Sequence, residues 1–462
     1  MLHRIRSLTG VRSGGLATAG MVLAAAAALF AAPESAQAVP SYARQTGLAC
    51  EACHTVFPEL TPFGRQFKLN AYTLTTKPAV TDEDQSKSTS LSLADMPPLS
   101  VMIQADTSWS NNNRTTSKNG STAQGNDTQF PQQLSLFYAG KISDHLGAQM
   151  QVTFQQASGT FGIDNSEIRF ADQGLDNKLT YGLTLNDAVT MSDLWNSSLI
   201  WAAGAGAMGP GVGDTGIPAT FIEGLGAGKA TGAGGFLNWS SNGHDSLYLE
   251  TELYRSSAFN NNGTTYVDNA WASANPTING VAPYWRAAFE HDWGHQTFEI
   301  GTFGMYARAS ANGVAVNGED NDYFDNALDA QYQYIGEHNI FSLAGNLIHE
   351  NQTINNNLVL ANSYSKSSVD MNHLRLTGSY FYDRKYGGSV TFNHINGDSV
   401  VGSPANTQYE VFELDYMPWL NTKLLAQYTL YNWVNAQNYG YNGVGTQVND
   451  GNTFMLGLWT AF

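Results

Sequence analysis

The 462-residue chain carries a net charge of −17 with only 22 Lys and Arg, too few cations for phosphate neutralisation, which excludes a nucleic-acid partner; an acidic surface attracts cations instead. Only 13% of residues are charged, against about 25% in soluble domains, while 12% are aromatic and 46 are Gly. This is the composition of a surface that meets lipid on one side and water on the other, although a Gly- and Asn-rich secreted β-sandwich shares it, and periodicity has to decide.

Residues 1–38 read as a secretory signal peptide. His3, Arg4, Arg6 and Arg12 form its basic start, Met21 to Ala32 its apolar run, and Ala36-Gln37-Ala38 its small-residue cleavage site, leaving Val39 as the mature N-terminus. No other stretch approaches the roughly 20 apolar residues of a spanning helix, so any membrane crossing falls to strands.

Residues 39–78 are expected to form a small α-helical monohaem cytochrome c domain. The only two cysteines lie in Cys50-Glu51-Ala52-Cys53-His54, a CxxCH sequence. Each thiol of such a motif adds across a haem vinyl group, and the adjacent His supplies the proximal nitrogen to iron. The spacing sets both sulfurs along one porphyrin edge while the next residue reaches beneath the metal. A structural zinc site wants four ligands, and no second Cys or His pair lies nearby; a disulfide oxidoreductase needs a βαβ context that the flanking sequence lacks. Thr61 and Pro62 fit the N-cap and first position of a short helix. On it, Phe63 and Phe67 fall four apart, suited to covering a haem edge, and Arg65 and Lys68 are suited to approaching the propionates; simple packing and solvated charge remain the alternative.

Residues 79–98 read as a Ser-, Thr- and Asp-rich linker. Between His54 and Met96 there is neither Met nor His, so Met96 is the lead candidate for the distal iron ligand, with five-coordinate iron or a side chain from a barrel lumen left open.

From residue 99 to 462 the chain becomes a series of segments of alternating polarity, about ten residues each, as tilted spanning strands require. The segments are 99–109, 129–142, 146–157, 163–172, 177–186, 229–239, 245–256, 284–292, 296–308, 322–335, 339–350, 371–382, 386–397, 407–416, 422–433 and 451–462. They predict a 16-stranded antiparallel outer-membrane β-barrel. Leu247, Leu249 and Leu253 alternate with Tyr248, Glu250, Glu252 and Tyr254; Phe412, Leu414 and Tyr416 alternate with Val411, Glu413 and Asp415. The acids then face the lumen, either drawing in cations or simply wetting it. Short connections alternate with long ones such as 110–128, 187–228 and 257–283, a parity a sandwich has no reason to keep. An even count puts both barrel ends on one side, so the preceding segment is periplasmic or reaches into the lumen. Phe454, Leu456, Leu458 and Phe462 share one face of the last strand, and the terminal aromatic looks like the assembly signal of such barrels. The Gly-, Ala- and Trp-rich loop from Ala188 to Lys229, with Trp195 and Trp201, is expected either to enter the pore, to dock on the haem segment, or to stay outside.

Pro40 to Ala49, the CEACH motif, Pro58-Glu59-Leu60 and Phe63 to Asn70 together resemble the N-terminal signature of the fused outer-membrane monohaem cytochrome-porins, the extracellular Fe(II)-oxidising cytochrome type. The match spans about thirty residues, Pro40 to Tyr72; the barrel is similar only in architecture and order. The resemblance implies one covalent haem c held by Cys50, Cys53 and His54, with Arg44, Arg65 and Lys68 as signature positions only. It also implies outer-membrane electron transfer from extracellular Fe(II), or a similar donor, to a periplasmic c-type cytochrome or other electron carrier. Outward transfer to minerals, and a diffusion porin with a structural or sensing haem, are the alternatives. No triad, phosphate loop or paired-carboxylate pattern stands out, which leaves hydrolysis without a basis.

Overall fold

The computed structural model describes residues 40–55, 57–76, 79–81, 92–94, 97–110, 126–155, 159–198, 219–225, 229–256, 277–310, 320–355, 367–400, 403–404, 406–419, 421–433 and 452–462. Sixteen long strands form one antiparallel sheet: β1 Leu99–Ser110, β2 Asn126–Lys141, β3 Leu146–Gln155, β4 Thr160–Gly174, β5 Leu179–Asn186, β6 Ala230–Trp239, β7 Asp245–Ser256, β8 Ala282–Asp292, β9 Gln296–Ser310, β10 Asp320–Ile335, β11 Asn339–Thr353, β12 Ser368–Tyr382, β13 Tyr386–Gly397, β14 Thr407–Trp419, β15 Thr422–Trp433 and β16 Thr453–Ala461. Each pairs with its sequence neighbours, and β16 returns to β1 in a register running from Phe454 opposite Trp109 to Ala461 opposite Met102. The backbones of Val101 and Phe462 exchange hydrogen bonds of 2.8 and 2.9 Å beyond it. The cylinder is therefore closed and leaves no unpaired edge for lipid to satisfy. All sixteen expected segments are strands. Several ends extend beyond expectation, as in Asn126 for β2 and Trp419 for β14, because pairing continues after the strict polar-apolar alternation stops.

Alternation sorts the wall into two faces. Leu183, Leu237, Leu253, Ile300, Leu328, Leu343 and Leu414 point outward and are exposed, an apolar belt between two aromatic rims. Trp293, Tyr380, Tyr382 and Tyr386 mark one rim, Trp109, Phe130, Phe161 and Phe324 the other, as membrane barrels require at their two interfaces. The connections at the first rim are short, such as 293–295, 336–338 and 383–385; those at the second are mostly long. This is a bacterial outer-membrane barrel, with its short turns on the periplasmic side.

Much of the described inward face is buried: Glu250, Glu252, Arg286, Glu299, Gln331, Gln333, Glu413 and Asp415 are all covered from solvent. Two inserts pack against this face, meeting Arg286, Gln331 and Gln333 through Asp193, Trp195 and Arg65. One is the segment before β1, with three short helices, α1 Pro40–Thr46, α2 Cys50–Cys53 and α3 Pro62–Leu69. The other is the β5–β6 loop, which turns inward through α4 Val189–Ser192 and returns through α5 Phe221–Gly224, capped by the reciprocal bonds of Thr220 and Glu223. Trp201 lies outside the described residues. The expected acids are held by neighbours in the wall itself: Lys423 Nζ donates to Glu413 at 2.9 Å and pairs with Asp415 at 3.5 Å, and Asn186 donates to Glu252 at 2.9 Å.

The first insert enters by the short-turn mouth. Gln45 Nε2 donates to the carbonyls of Tyr72 and Leu74 at 2.6 and 2.7 Å, and its Oε1 accepts from the Lys141 backbone at 2.9 Å. Arg44 donates to the Leu99 carbonyl. At Gly147 of β3 the insert lies directly on the wall, since a Cβ there would meet the Ala71 carbonyl oxygen at 1.9 Å. Gly147→Val is therefore expected to unseat this segment while leaving the barrel closed. Overpacking of about 1–3 kcal/mol predicts roughly five- to 150-fold faster protease cleavage within residues 40–76; an unchanged rate refutes the seating.

Candidate functional site

The Cys50–Cys53 turn is held by residues 54–64, immediately downstream. His54 N donates to Cys50 O at 3.0 Å, and His54 forms an antiparallel bridge with Leu60. Thr61, the expected N-cap, accepts from Gly64 N at 3.0 Å and donates through its hydroxyl to Ala52 O at 2.6 Å, while its backbone N donates to Cys53 O at 2.9 Å. Gly64 allows α3 to press against α2, because a Cβ there would meet Cys53 O at 2.2 Å. One capping residue and one missing side chain thus hold the backbone that carries all three CxxCH donors.

Those donors face one cavity whose mouth is open to solvent. Its wall comes from three parts of the chain: Tyr42, Cys50, Cys53, His54, Phe67 and Lys68 from the first insert, Met102, Phe137, Gln149 and Trp459 from the barrel, and Thr190, Met191 and Asn196 from the loop. Phe57 joins the parts, lying 5.1 Å from the His54 ring and edge-on to Trp459 at 4.4 Å. Asn196 Nδ2 donates to Pro58 O at 3.0 Å, so the β5–β6 loop does dock on the CxxCH segment as well as enter the pore.

Burial governs the protonation of the donors. It pushes the Cys50 thiol up to about 12 and the Cys53 thiol to about 11, and holds the His54 imidazole down to about 4. A neutral imidazole keeps the lone pair that iron needs. His54 Nδ1 is buried with no well-formed hydrogen bond, though the Pro58 and Glu59 carbonyls lie close by. Two thiols, a neutral imidazole and a largely aromatic and aliphatic wall make a donor set that fits a covalently attached haem.

The neighbouring expectations divide. Phe67 is buried against Tyr42 at 5.1 Å and lines the cavity, whereas Phe63 is 38% exposed and turned away. Lys68 lines the cavity, and its Nζ donates to Asp193 O at 3.0 Å. Arg65, expected near the propionates, is instead bound to the barrel wall: it pairs with Glu290 at 2.7 Å and donates to Gln333 at 3.0 Å and Gln331 at 3.3 Å. Its charge anchors the insert. Met96 lies outside the described residues. Sequence reasoning passed over Tyr42 and Tyr72, which stack at 5.2 Å behind Phe67, and Tyr72 donates to Glu167 of β4 at 2.6 Å. The aromatic spacing of the signature was their only visible trace.

No family model and no curated protein matches the chain. Among solved structures it is similar to outer-membrane expressed OmpT of Vibrio cholerae (9% identity, TM-score 0.42, covering 79% of this chain and 97% of that one). It is also similar to an anion-selective porin from Comamonas acidovorans (13%, 0.45, 79% and 98%) and to the outer membrane channel DcaP of Acinetobacter baumannii (12%, 0.45, 79% and 96%). The membrane assignment rests on the closed cylinder and its apolar belt.

Proposed function

We propose that the protein is an outer-membrane electron-transfer cytochrome of the fused monohaem cytochrome-porin type, with one haem c carried by Cys50, Cys53 and His54. The observation that carries this reading is that all three donors, the only two thiols among them, face a single cavity between the barrel wall and two inserts. When bound, the haem supplies a one-electron couple: an extracellular Fe(II) or similar donor loses an electron at the outer face, and a periplasmic carrier removes it at the other. The protein's own part is placement. Thr61 and Gly64 orient the donors, Phe57, Phe67 and Trp459 exclude water, and the pair of Glu51 with Arg384 of the β12–β13 turn, 3.7 Å apart, keeps α2 near the periplasmic mouth, where a soluble carrier can approach.

A diffusion porin needs a wetted lumen, and the buried inward face favours the conduit instead. Purified protein in detergent, given Fe(II) without oxygen at the organism's working pH, is expected to shift from the oxidised to the reduced haem spectrum, and then to reoxidise when a periplasmic c-type cytochrome is added. A spectrum that stays oxidised under Fe(II) removes the iron oxidase; free sugar flux through reconstituted protein with no electron exchange restores the porin.

A further inference from the structure

The cavity offers more than one side chain able to complete an iron's coordination, and most are already engaged. Tyr42 OH donates to Ala148 O at 3.2 Å, Tyr72 OH to Glu167 at 2.6 Å, and Lys68 Nζ to Asp193 O at 3.0 Å. Met102 packs in a cluster with Phe137, Leu425, Met455 and Trp459, and its sulfur receives Gln104 Nε2 at 3.9 Å. Met191 differs in origin: it sits in α4, which among the described residues of the inward loop is the helical turn that reaches this cavity, and it is buried at 4% exposure. Its Cα is fixed there, because Met191 N donates to Ala188 O at 3.0 Å and the next residue's hydroxyl donates to Val189 O at 3.1 Å.

Resting on the haem c reading, we infer that Met191, which lines the same cavity as His54, would supply a thioether as the second protein ligand to the iron. A neutral sulfur is a soft donor, and His/Met ligation raises a haem's reduction potential, as acceptance of electrons from a weak reductant requires. The assignment also links the iron to the long-loop side of the barrel: β5 and β6 deliver Met191 from the outer rim, while β1 and the CxxCH segment belong to the periplasmic one.

The test uses full-length haem-loaded protein and its oxidised absorption spectrum, which carries a far-red charge-transfer band only when a thioether binds ferric iron. The wild type is expected to show the band, Met191→Leu to lose it completely with a lowered midpoint potential, and Met191→His to restore a six-coordinate, low-spin spectrum of bis-imidazole type. Leu conserves volume and apolarity, and the His variant separates lost ligation from lost folding. A wild type without the band, or Met191→Leu that keeps it, overturns the assignment, as does loss confined to Met102→Leu. Absence of covalent haem from the wild type is a different result and ends the cytochrome reading itself.

Discussion

Cys50→Ser combined with Cys53→Ser is expected to abolish covalent haem while leaving the barrel assembled. No other thiol exists in the chain, so neither vinyl group retains a partner, and the loss is total rather than graded. The coordinate bonds from His54 and Met191 would remain, but they are reversible and add no mass to the polypeptide. Neither sulfur takes part in strand pairing, and the inward docking of the segment depends on Arg44, Gln45, Arg65 and Tyr72, which the change leaves intact. Intact-mass measurement of the mature polypeptide reads the first part, and resistance of the folded barrel to unfolding by detergent at room temperature reads the second. Haem retained through the double substitution would remove the attachment chemistry; a barrel that no longer assembles would mean that haem is needed for folding, which the docking contacts do not call for.

Arg286→Met is expected to be the most destabilising single change in the wall. Arg286 is 1% exposed and serves three carboxylates: Asp329 at 2.5 Å, Glu299 at 3.3 Å and Asp193 of the inward loop at 3.8 Å. Its guanidinium also stacks on Trp195 at 4.8 Å and on Phe303 at 5.3 Å. Methionine fills similar space but leaves the acids facing one another, and breaking one side of a buried ion pair costs about 3–5 kcal/mol. The urea midpoint of the detergent-solubilised barrel should fall accordingly, and adding Asp329→Asn should recover part of the loss because the two residues share one network. A change below about 1 kcal/mol, no larger than an exposed ion pair, would show that the lumen is wet after all.

The barrel was legible because lipid imposes a period of two on every spanning segment: the outward Leu, Phe and Tyr of β7 and β14 announce their strands directly. Parity of turn lengths added closure and orientation. The CxxCH motif was legible for a different reason, since its chemistry is local in sequence. What lay hidden depends on contacts between distant segments. An inward Glu reads the same whether it meets water or another side chain, so Glu252 and Glu413 gave no sign of burial. Arg65 looks like any helical cation until Glu290 and Gln333, more than two hundred residues later, are placed against it. The loop from Ala188 to Lys229 carries no periodicity that distinguishes an inward turn from an external one, and Gly64 and Gly147 are two among 46 glycines until the carbonyls they admit are in view.

The seam where the first and last strands meet runs beside the CxxCH cavity, with Met102 on one lip and Trp459, packed on Phe57, on the other. Pairing along that seam fixes both lips, so the cavity keeps its shape only once the cylinder has closed. On the cytochrome reading, this ties the pocket for the group to the last step of barrel formation: the first insert supplies the thiols, and joining the two terminal strands supplies Met102 and Trp459 of the opposing wall. A chain cut short of its last strand would therefore lose half of that wall together with the closure of the cylinder.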